Sequence, residues 1–405
     1  MRESLKHIVI VGANIAGLRA AESLRAEGFD GSITLINGEE SLPYNRPPLS
    51  KEVLTGKFSL EEVVHRGADH YAELQLDLRS GQLATALDLE RQTVTVGKER
   101  LSFDGIIIAT GARARSLQGV ANLGGVHVMR TIEDAKRVRA AFAAGPRVVV
   151  IGAGFIGSEV AASARTAGLK VTIVEMLSIP LVRAVGAEMG KACAKLHADN
   201  GTDLRCGATV EAIEGNGQVE RVRLGSGETI DADLVVIGVG VVPNVSWLAG
   251  SRLKIANGLV CDATLNAGHP RVYAAGDIVW WPNDLFGVEM RCEHWTNGAE
   301  QGRLAARNLL AGRDNSRAYG GSCYFWSDQY GSRIQFVGIP NGEAQVVQGS
   351  SLENKFVALY RSGNRIVGAL GIDSPKPVMK AKMMIEKRAE WDQAVAALSD
   401  PPTTK

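Results

Sequence analysis

The stretch PRVVVIGAGFIGSEVAASARTAGLKVTIVE, residues 146–175, has the pattern of a strand, a tight turn, a helix and a second strand. The apolar runs VVVI and VTIV are short and rich in β-branched residues, which is typical of strands buried on both faces. Gly152, Gly154 and Gly157 follow the first run with the spacing G-x-G-x-x-G. In this pattern the first glycine permits the turn, the second lets the backbone approach a pyrophosphate, and the third lets helix and strand pack closely. The stretch therefore predicts a dinucleotide-binding unit, with the pyrophosphate at the helix N-terminus.

An acidic residue closes the second strand of this unit. Glu175 lies 23 positions after Gly152. A carboxylate at this place bonds the ribose hydroxyls of NAD and repels the additional phosphate of NADP. We therefore predict that the unit binds NADH in preference to NADPH.

A less regular copy of the pattern lies near the start of the chain, at IVIVGANIAGLRAAESLR, residues 8–25. Gly12 and Gly17 hold the first and third positions, and Asn14 replaces the middle glycine. Asparagine tolerates unusual backbone geometry better than other non-glycine residues, although a turn without a ligand stays an alternative for this copy taken alone. The acid after the second strand is also less clear, because the segment INGEE offers two adjacent candidates, of which Glu39 is the first.

Length and charge limit the class of protein. The 405 residues allow two or three domains at roughly 150 residues each, and a net charge of +1 gives no global field that would attract nucleic acid. No apolar run reaches the ~18 residues that indicate a membrane span, and the N-terminus lacks the pattern of a signal peptide. We therefore expect a cytoplasmic protein with no nucleic-acid and no membrane partner.

The cysteines are widely spaced, and none forms a C-x-x-C pair. This spacing disfavours a disulfide framework, a zinc site and a redox-active dithiol, and we expect isolated thiols in or near the core and no metal site. The five are Cys193, Cys206, Cys261, Cys292 and Cys323.

Six further motifs accompany the two glycine-rich turns: IIIATGA (106–112), RVYAAGD (271–277), LPYNRPPLSK (42–51), MRTIEDA (129–135), EHWTNGAEQGR (293–303) and FWSDQ (325–329). Together they resemble the NADH-dependent ferredoxin reductases of oxygenase systems, flavoproteins with two dinucleotide-binding domains. The resemblance covers essentially the whole chain.

The resemblance implies an α/β fold of glutathione-reductase-like architecture. It has two Rossmann-like dinucleotide-binding domains, for FAD and NAD, and a C-terminal α+β domain. The FAD domain would comprise residues 1–112 and 242–320, the NAD domain residues 113–241, and the C-terminal domain residues 321–405. The first turn would hold FAD and the second NADH.

The implied reaction takes hydride from NADH and passes single electrons to a two-iron two-sulfur ferredoxin. That ferredoxin would feed a haem monooxygenase or a Rieske dioxygenase. The chain is expected to be a monomer or a weak homodimer. In such a reaction the cofactor carries the chemistry, while the protein supplies positioning and electrostatics.

The resemblance also assigns contacts position by position. Glu39 would meet the adenosine ribose of FAD, although Gly38 occupies the place of the usual acid, and Asp277 would meet the ribityl chain. Trp326 would pack beside the isoalloxazine ring. The cofactor residues implied in this way are Gly12, Asn14, Ala16, Gly17, Glu39, Arg46, Lys51, Ala84, Thr110, Gly111, Arg130, Asp277, Glu293, Trp295, Trp326, Gly152, Gly154, Phe155, Ile156, Gly157, Glu175, Arg183 and Gly240.

Single residues of this set have structural alternatives. The segment RPPLSK could be a rigid turn, Asp277 could cap a helix, and Trp326 could belong to the core. The joint pattern favours the functional interpretation over each of these.

Lys51 and Glu159 are the predicted catalytic residues. Glu159 lies two positions after Gly157, and the resemblance pairs it with Lys51, which would stabilise negative charge near flavin N5. The alternative for Glu159 is a first-turn acid that interacts with the helix dipole.

A ferredoxin is usually acidic, so a local basic patch is expected to bind it. Arg66 and Arg303 match family positions on the docking face, and Arg307, one helical turn after Arg303, would extend the patch. Each could equally be a solvated surface residue.

The same residues bear on other functions of this scaffold. A disulfide reductase is disfavoured because the FAD domain has no closely spaced cysteine pair, and a cysteine-dependent NADH oxidase or peroxidase because residues 40–50 contain no cysteine. A rubredoxin reductase with the same chemistry stays open. A flavin-bearing signalling protein similar to apoptosis-inducing factor is less well supported, since the chain has neither a basic nucleic-acid patch nor long tails.

Overall fold

A computed structural model of the chain describes residues 5–117 and 123–399. The tail DPPTTK, which we expect to fray, begins at residue 400 and lies outside the described residues. The α-helices are α1 Ile15–Ala26, α2 Ala68–Glu73, α3 Ile132–Phe142, α4 Phe155–Thr166, α5 Val182–Asp199, α6 Trp295–Ala311, α7 Pro375–Glu386 and α8 Trp391–Leu398, and short 3-10 helices span Ser246–Leu248 and Arg313–Asn315.

The strands are β1 His7–Val11, β2 Ser32–Ile36, β3 Leu76–Arg79, β4 Ala84–Asp88, β5 Thr93–Val96, β6 Glu99–Ser102, β7 Gly105–Ile108, β8 Ala112–Ala114, β9 Val126–Val128, β10 Val148–Ile151, β11 Val171–Glu175, β12 Asp203–Cys206, β13 Val210–Asn216, β14 Gln218–Leu224, β15 Thr229–Asp231, β16 Leu234–Ile237, β17 Val241–Pro243, β18 Ile255–Ala256, β19 Gly258–Val260, β20 Asn266–His269, β21 Val272–Ala274, β22 Val279–Asn283, β23 Val288–Met290, β24 Phe325–Gln329, β25 Ser332–Gly338, β26 Glu343–Ser350, β27 Lys355–Ser362 and β28 Arg365–Ile372.

The chain divides into two units, and each is built from segments that are distant in sequence. The first contains Met1–Asn45, Val63–Arg113 and Val242–Cys323. The second contains Arg46–Glu62, Ala114–Val241 and Tyr324–Lys405.

The first unit is organised by a six-stranded sheet with the order β20-β21-β7-β1-β2-β3. β1 pairs in parallel with β2 and β7, and β7 pairs in parallel with β21. The apolar runs of these strands are buried on both faces, as predicted for a sheet covered by helices. α1 and α6 pack closely because Gly302 has no side chain: a Cβ atom there would lie 2.1 Å from the carbonyl oxygen of Ala16.

The second unit contains two five-stranded sheets. The order β12-β11-β10-β16-β9 is parallel throughout and carries the second glycine-rich turn. The order β24-β25-β28-β27-β26 is antiparallel, and its core contains Phe336, Phe356 and Leu370. Parallel and antiparallel sheets followed by helices are the α/β and α+β patterns predicted from the sequence, so the predicted fold class is confirmed.

Within the described residues, no helix is both long enough and apolar enough to cross a bilayer. In the same part of the chain, no cluster of three or more His, Cys, Asp or Glu side chains is placed to hold a metal ion.

Candidate functional site

The second glycine-rich turn joins β10 to α4. Gly152 has a φ of +102°, and a Cβ atom there would lie 2.5 Å from the carbonyl oxygen of Gly238. A Cβ atom at Gly157 would lie 2.0 Å from the carbonyl oxygen of Gly152. Distances this short exclude a side chain at either position unless the backbone moves. The first and third glycines are therefore required by packing within the second unit.

Gly154, the middle glycine, is the N-cap residue of α4. Among the described residues, no side chain caps this helix and no acid occupies its first turn. The nearest atom to a Cβ at Gly154 would be the carbonyl oxygen of Gly238, at 3.9 Å. An uncapped helix N-terminus beside open space attracts anions, so this end of α4 fits a pyrophosphate.

Glu175, at the end of β11, reaches back to the same turn. Its Oε2 atom accepts a hydrogen bond of 2.7 Å from the backbone N–H of Ala153, and its Oε1 atom accepts one of 2.8 Å from the backbone N–H of Leu177. Met176, the next residue, is 60% exposed. The carboxylate that the sequence spacing places near the turn is therefore held there by backbone amides.

The first glycine-rich turn repeats the geometry of the second at two positions. Gly12 has a φ of +106°, and a Cβ atom there would lie 2.2 Å from the carbonyl oxygen of Ala109. A Cβ atom at Gly17 would lie 1.8 Å from the carbonyl oxygen of Gly12. Asn14 is the N-cap of α1, and its Oδ1 atom accepts a hydrogen bond of 2.7 Å from the backbone N–H of Ile15. Asparagine therefore caps the helix at the position where the regular pattern has glycine.

The RVYAAGD motif ends beside this first turn. A Cβ atom at Gly276 would lie 3.1 Å from the Cβ atom of Ala16. The Gly276 backbone N–H donates a hydrogen bond of 2.8 Å to Oε1 of Gln301, which is fully buried in α6. Asp277, half-buried, follows directly. Sequence reasoning missed Gln301, although it lies in the EHWTNGAEQGR motif.

Other predicted residues of the first unit lie in small hydrogen-bonded groups. Thr110 Oγ1 donates to the carbonyl oxygen of Asn244 at 3.0 Å, and Asn244 Nδ2 returns a bond of 2.9 Å to the Thr110 carbonyl oxygen. The Asn244 backbone N–H donates to the Gly111 carbonyl oxygen at 2.9 Å. These bonds fix the backbone at the end of the IIIATGA motif.

Glu39 has a partner that sequence reasoning did not identify. The hydroxyl of the buried Tyr44 donates a hydrogen bond of 2.6 Å to Glu39 Oε2. Glu293 forms an ion pair with Arg291. Trp295 is the first residue of α6, and Ala84 is the first residue of β4.

In the second unit, two predicted arginines come together. Arg46 NH1 donates a hydrogen bond of 2.6 Å to the carbonyl oxygen of Arg130. The backbone N–H of Arg130 in turn donates to Asp134 Oδ2 at 3.1 Å. The RPPLSK and MRTIEDA motifs therefore meet, although the two arginines are 84 positions apart.

Lys51 and Glu159 form the predicted pair, with 3.2 Å between Lys51 Nζ and Glu159 Oε1. Both residues are buried, at 8% and 3% exposure. Glu159 also accepts hydrogen bonds from the hydroxyls of Ser50, 2.5 Å from Oε2, and Ser327, 2.8 Å from Oε1. Burial raises the pKa of the Glu159 carboxyl, and Lys51 and the two hydroxyls oppose that rise. The two serines were absent from the sequence-based set.

The remaining predicted residues of the second unit are more open. Phe155 packs against Phe325, with 4.3 Å between ring centroids, and Ile156 is 41% exposed. Trp326 is half-buried on β24. Arg183 and Gly240 are exposed.

The three candidate docking arginines belong to the first unit, and two of them have acidic partners. Arg307 Nε lies 2.7 Å from Glu27 Oε1, and Arg66 Nε lies 3.7 Å from Glu22 Oε1. Arg303 is exposed and forms no ion pair within residues 5–117 and 123–399. Among the three, Arg303 therefore has the positive charge least offset by neighbours.

All five cysteines are free, but the expectation that they are isolated is wrong for one pair. Cys292 and Cys323 lie near each other in the core of the first unit, because the loop before β24 returns Cys323 to the segment after β23, while the hydrogen-bond partner of Cys292 Sγ is His294 Nδ1, at 3.1 Å. Burial raises the pKa of Cys292 well above its usual value. The thiolate is the reactive form of cysteine, so this contact does not supply the dithiol chemistry of a disulfide reductase.

Comparison with known proteins agrees with this geometry. The family described as pyridine nucleotide-disulphide oxidoreductase matches residues 6–302, and the family described as reductase C-terminal matches residues 324–404. Rhodocoxin reductase of Rhodococcus erythropolis is 36% identical, covering 97% of this chain and 92% of its own length. The ferredoxin–NAD(+) reductase component of the anthranilate 1,2-dioxygenase system of Burkholderia cepacia is 34% identical, covering 97% and 95%.

A solved structure is also similar to this chain over nearly its whole length. The crystal structure of the covalent putidaredoxin reductase–putidaredoxin complex matches with a TM-score of 0.93 and 31% identity, covering 98% of this chain and 97% of that one. The fold is thus shared over nearly the whole length of both chains. The chain belongs to the pyridine nucleotide-disulphide oxidoreductase family and, within it, to the FAD-dependent ferredoxin–NAD(+) reductases.

Proposed function

We propose that this chain transfers hydride from NADH to FAD and then passes electrons one at a time to a two-iron two-sulfur ferredoxin that serves an oxygenase. The observation that carries the proposal is the buried Lys51–Glu159 pair, whose acid is the fifth residue of α4, the helix of the second dinucleotide-binding unit. A buried pair of this kind holds the ammonium group in one orientation.

FAD, when bound, supplies both a hydride acceptor and a donor of single electrons. Its binding is assigned to the residues that the family resemblance selects. In the first unit, the α1 N-terminus after Gly12 and the segment ending at Asp277 support this assignment, because the structure brings them together. In the second unit, Arg46 and Arg130 support it through their mutual contact.

NADH is assigned to the turn from Gly152 to Gly157. The uncapped N-terminus of α4 suits the pyrophosphate. Glu175, held by two backbone amides, is assigned the contact with the ribose hydroxyls. The same negative charge disfavours the additional phosphate of NADPH.

Lys51 is assigned the stabilisation of negative charge that develops during hydride transfer. Its ammonium group is buried and has a carboxylate on one side, so its position is restricted before any substrate binds. Such preorganised charge is worth more in a buried site than in water.

The partner is an acidic iron–sulfur protein, with Arg303 as the leading contact and Arg66 and Arg307 as weaker ones. We assign the protein to the cytoplasm as a monomer or weak homodimer. The predicted four-segment division at residues 112, 241 and 320 stays part of this proposal. Rubredoxin is the competing acceptor, since its reduction requires the same cofactors.

The experiment measures NADH oxidation by the FAD-loaded protein with a two-iron two-sulfur ferredoxin, a rubredoxin or ferricyanide as acceptor. We expect fast turnover with the ferredoxin and slow turnover with rubredoxin; the reverse order would overturn the assignment of the partner. Arg303→Glu should slow ferredoxin reduction about tenfold and leave ferricyanide reduction unchanged. Arg100→Glu, a charge reversal at an exposed position of β6, is the matched control.

A further inference from the structure

The carboxylate of Glu159 is surrounded by donors from two segments of the second unit. Ser50 and Lys51 come from the segment Arg46–Glu62, and Ser327 comes from β24. Glu159 is the fifth residue of α4, beyond the first turn, and is 3% exposed, so the alternative of a first-turn acid at the helix N-terminus is wrong. No sequence spacing predicts this arrangement, because Ser327 is 168 positions from Glu159 and Ser50 is 109.

The two serine hydroxyls are themselves held in place. Gln329 Nε2 donates a hydrogen bond of 3.0 Å to Ser327 Oγ, so the serine hydrogen is left to point toward Glu159. Ser163 Oγ donates to the Ser50 carbonyl oxygen at 2.7 Å and thereby fixes the backbone that carries Ser50. Ser327, Gln329, Ser50 and Ser163 are all buried, which restricts their rotation.

The electrostatic situation of Glu159 explains why these donors matter. Burial disfavours the charged carboxylate. Among the described residues, Lys51 is the charged group that opposes this effect, while the contacts from β24 and from Ser50 are neutral hydroxyls. A hydrogen bond to a charged group stabilises it more than one between neutral groups.

We propose that Ser327 and Ser50 are positioning residues, whose hydroxyls hold Glu159 as an ionised carboxylate and thereby fix the ammonium group of Lys51 for hydride transfer. This inference rests on the proposed function, since Lys51 is the residue assigned to the reaction. It gives the FWSDQ motif a second role besides that of Trp326.

The position of the Lys51 ammonium group therefore depends on two hydroxyls that it does not contact. Without Ser327, Lys51 is the only donor to Glu159 Oε1 in the described part of the chain, and protonation of the carboxyl becomes easier. A protonated Glu159 no longer restrains the ammonium group by charge. The loss should therefore lower the limiting rate of flavin reduction more than it weakens NADH binding.

The variant Ser327→Ala, compared in the FAD-loaded protein by rapid mixing with NADH, tests this inference. We expect the limiting rate of flavin reduction to fall about tenfold. The acidic limb of its pH profile should move up by about one pH unit, because one charge-assisted hydrogen bond is lost. KM for NADH should change little. Ser327→Thr, which keeps the hydroxyl, should restore the wild-type pH profile.

A matched control is available on α4 itself. Ser158 is fully buried and precedes Glu159, and its hydroxyl has no hydrogen-bond partner among the described residues. Ser158→Ala should leave the pH profile of flavin reduction unchanged. If Ser327→Ala and Ser158→Ala have the same pH profile, the positioning role is wrong. If Ser327→Ala does not fold, Ser50→Ala takes its place in the same comparison with Ser158→Ala.

A second readout separates this inference from the proposed function. The infrared band of a protonated carboxyl, assigned by its absence in Glu159→Gln, is measured without NADH or ferredoxin. We expect it to appear at higher pH in Ser327→Ala than in the unchanged protein. An unaltered band would overturn the role of the hydroxyls even in an active reductase, whereas a protein that reduces no ferredoxin would overturn the proposed function and leave the infrared result standing.

Discussion

The two glycine-rich turns agree at their first and third positions and differ at the middle one. Gly12 and Gly152 have φ values of +106° and +102°, and the third glycine of each turn lies against the carbonyl oxygen of the first. At the middle position, Asn14 caps α1 with its own side chain, whereas Gly154 leaves α4 without a side-chain cap. The backbone therefore requires glycine at the first and third positions, whereas the middle position of the first turn accepts an asparagine that caps its own helix.

The acids that follow the two turns differ as well. Glu175 bonds the backbone amide of Ala153 inside the second turn. Glu39, the corresponding candidate after the first, is bonded by the Tyr44 hydroxyl instead. The second turn therefore has a carboxylate held beside it, whereas the carboxylate after the first turn is bonded to a tyrosine. This difference supports the proposed assignment of NADH to the second turn.

The largest expected effect tests the shared part of the turns. Gly12→Val places a side chain where φ is positive and the Ala109 carbonyl oxygen lies 2.2 Å from the new Cβ atom. We expect bound FAD to fall about tenfold or more, measured from the flavin absorbance released on unfolding. Gly320→Ala, where a Cβ atom would meet nothing within 4 Å, should keep its FAD. Full FAD content in Gly12→Val would show that the first turn does not hold the cofactor.

The next effect tests the acid of the second turn. Replacing Glu175 by Ala and Met176 by Arg removes the negative charge and adds a positive one at an exposed position. We expect the ratio of kcat/KM for NADH to that for NADPH to fall about 100-fold, measured with ferricyanide as acceptor. Glu40→Ala, next to the acid of the first turn, is the control. An unchanged ratio would show that Glu175 does not discriminate between NADH and NADPH.

A third prediction concerns pH and the unit that carries the second turn. Burial lowers the pKa of His197 to about 4, below its ordinary value near 6.5. The unfolded chain therefore binds a proton that the folded α5 does not, and stability is lost as pH falls from 6.5 toward 4. We expect a loss of about 2 kcal/mol between pH 7 and pH 5.

This loss is measured by amide hydrogen exchange of α5. The His197→Phe variant should lack the part of the pH dependence of stability that His197 contributes. His269, whose pKa burial lowers less strongly in the first unit, provides the contrast in His269→Phe. Identical pH dependence of α5 exchange in the unchanged protein and His197→Phe would contradict the prediction.

The smallest expected effect tests the difference between the turns. Asn14→Gly converts the first turn into the regular pattern and removes only the cap bond to the Ile15 amide. Glycine is itself tolerated at the N-cap, so the cost should be a few tenths of a kcal/mol, and FAD content should stay nearly unchanged. A large loss of FAD, measured by the same flavin absorbance, would mean that the Asn14 side chain contacts the cofactor directly.

Much of the fold was predictable because its signals are local. The apolar runs of β1 and β10, the glycines after them and the helices that follow lie within about 30 residues of one another in each copy. The contact between Lys51 and Glu159 was available only through the family resemblance. Ser50, Ser327 and Gln301 were missed, although each lies inside a motif that the sequence analysis quoted, since a motif does not state which of its side chains turn inward.

The cysteines also show that spacing along the chain does not reveal contacts made in the folded protein. Their spacing predicts isolated thiols, yet Cys292 and Cys323 meet because a loop returns to the core. The chemical conclusion survives, since burial keeps Cys292 protonated. Separation along the chain is a good guide to local motifs and a poor guide to pairs joined by a long connection.

The sequence by itself determined the two dinucleotide-binding turns, because a positive φ and a close backbone approach admit only glycine and therefore leave a local signature. It also determined the place of Glu175, since one strand and one helix set that spacing. Only the tertiary structure decided the surroundings of Glu159. Its hydrogen-bond donors come from segments more than 100 positions away, and a buried charge selects its partners by geometry in the folded chain, which no periodicity records.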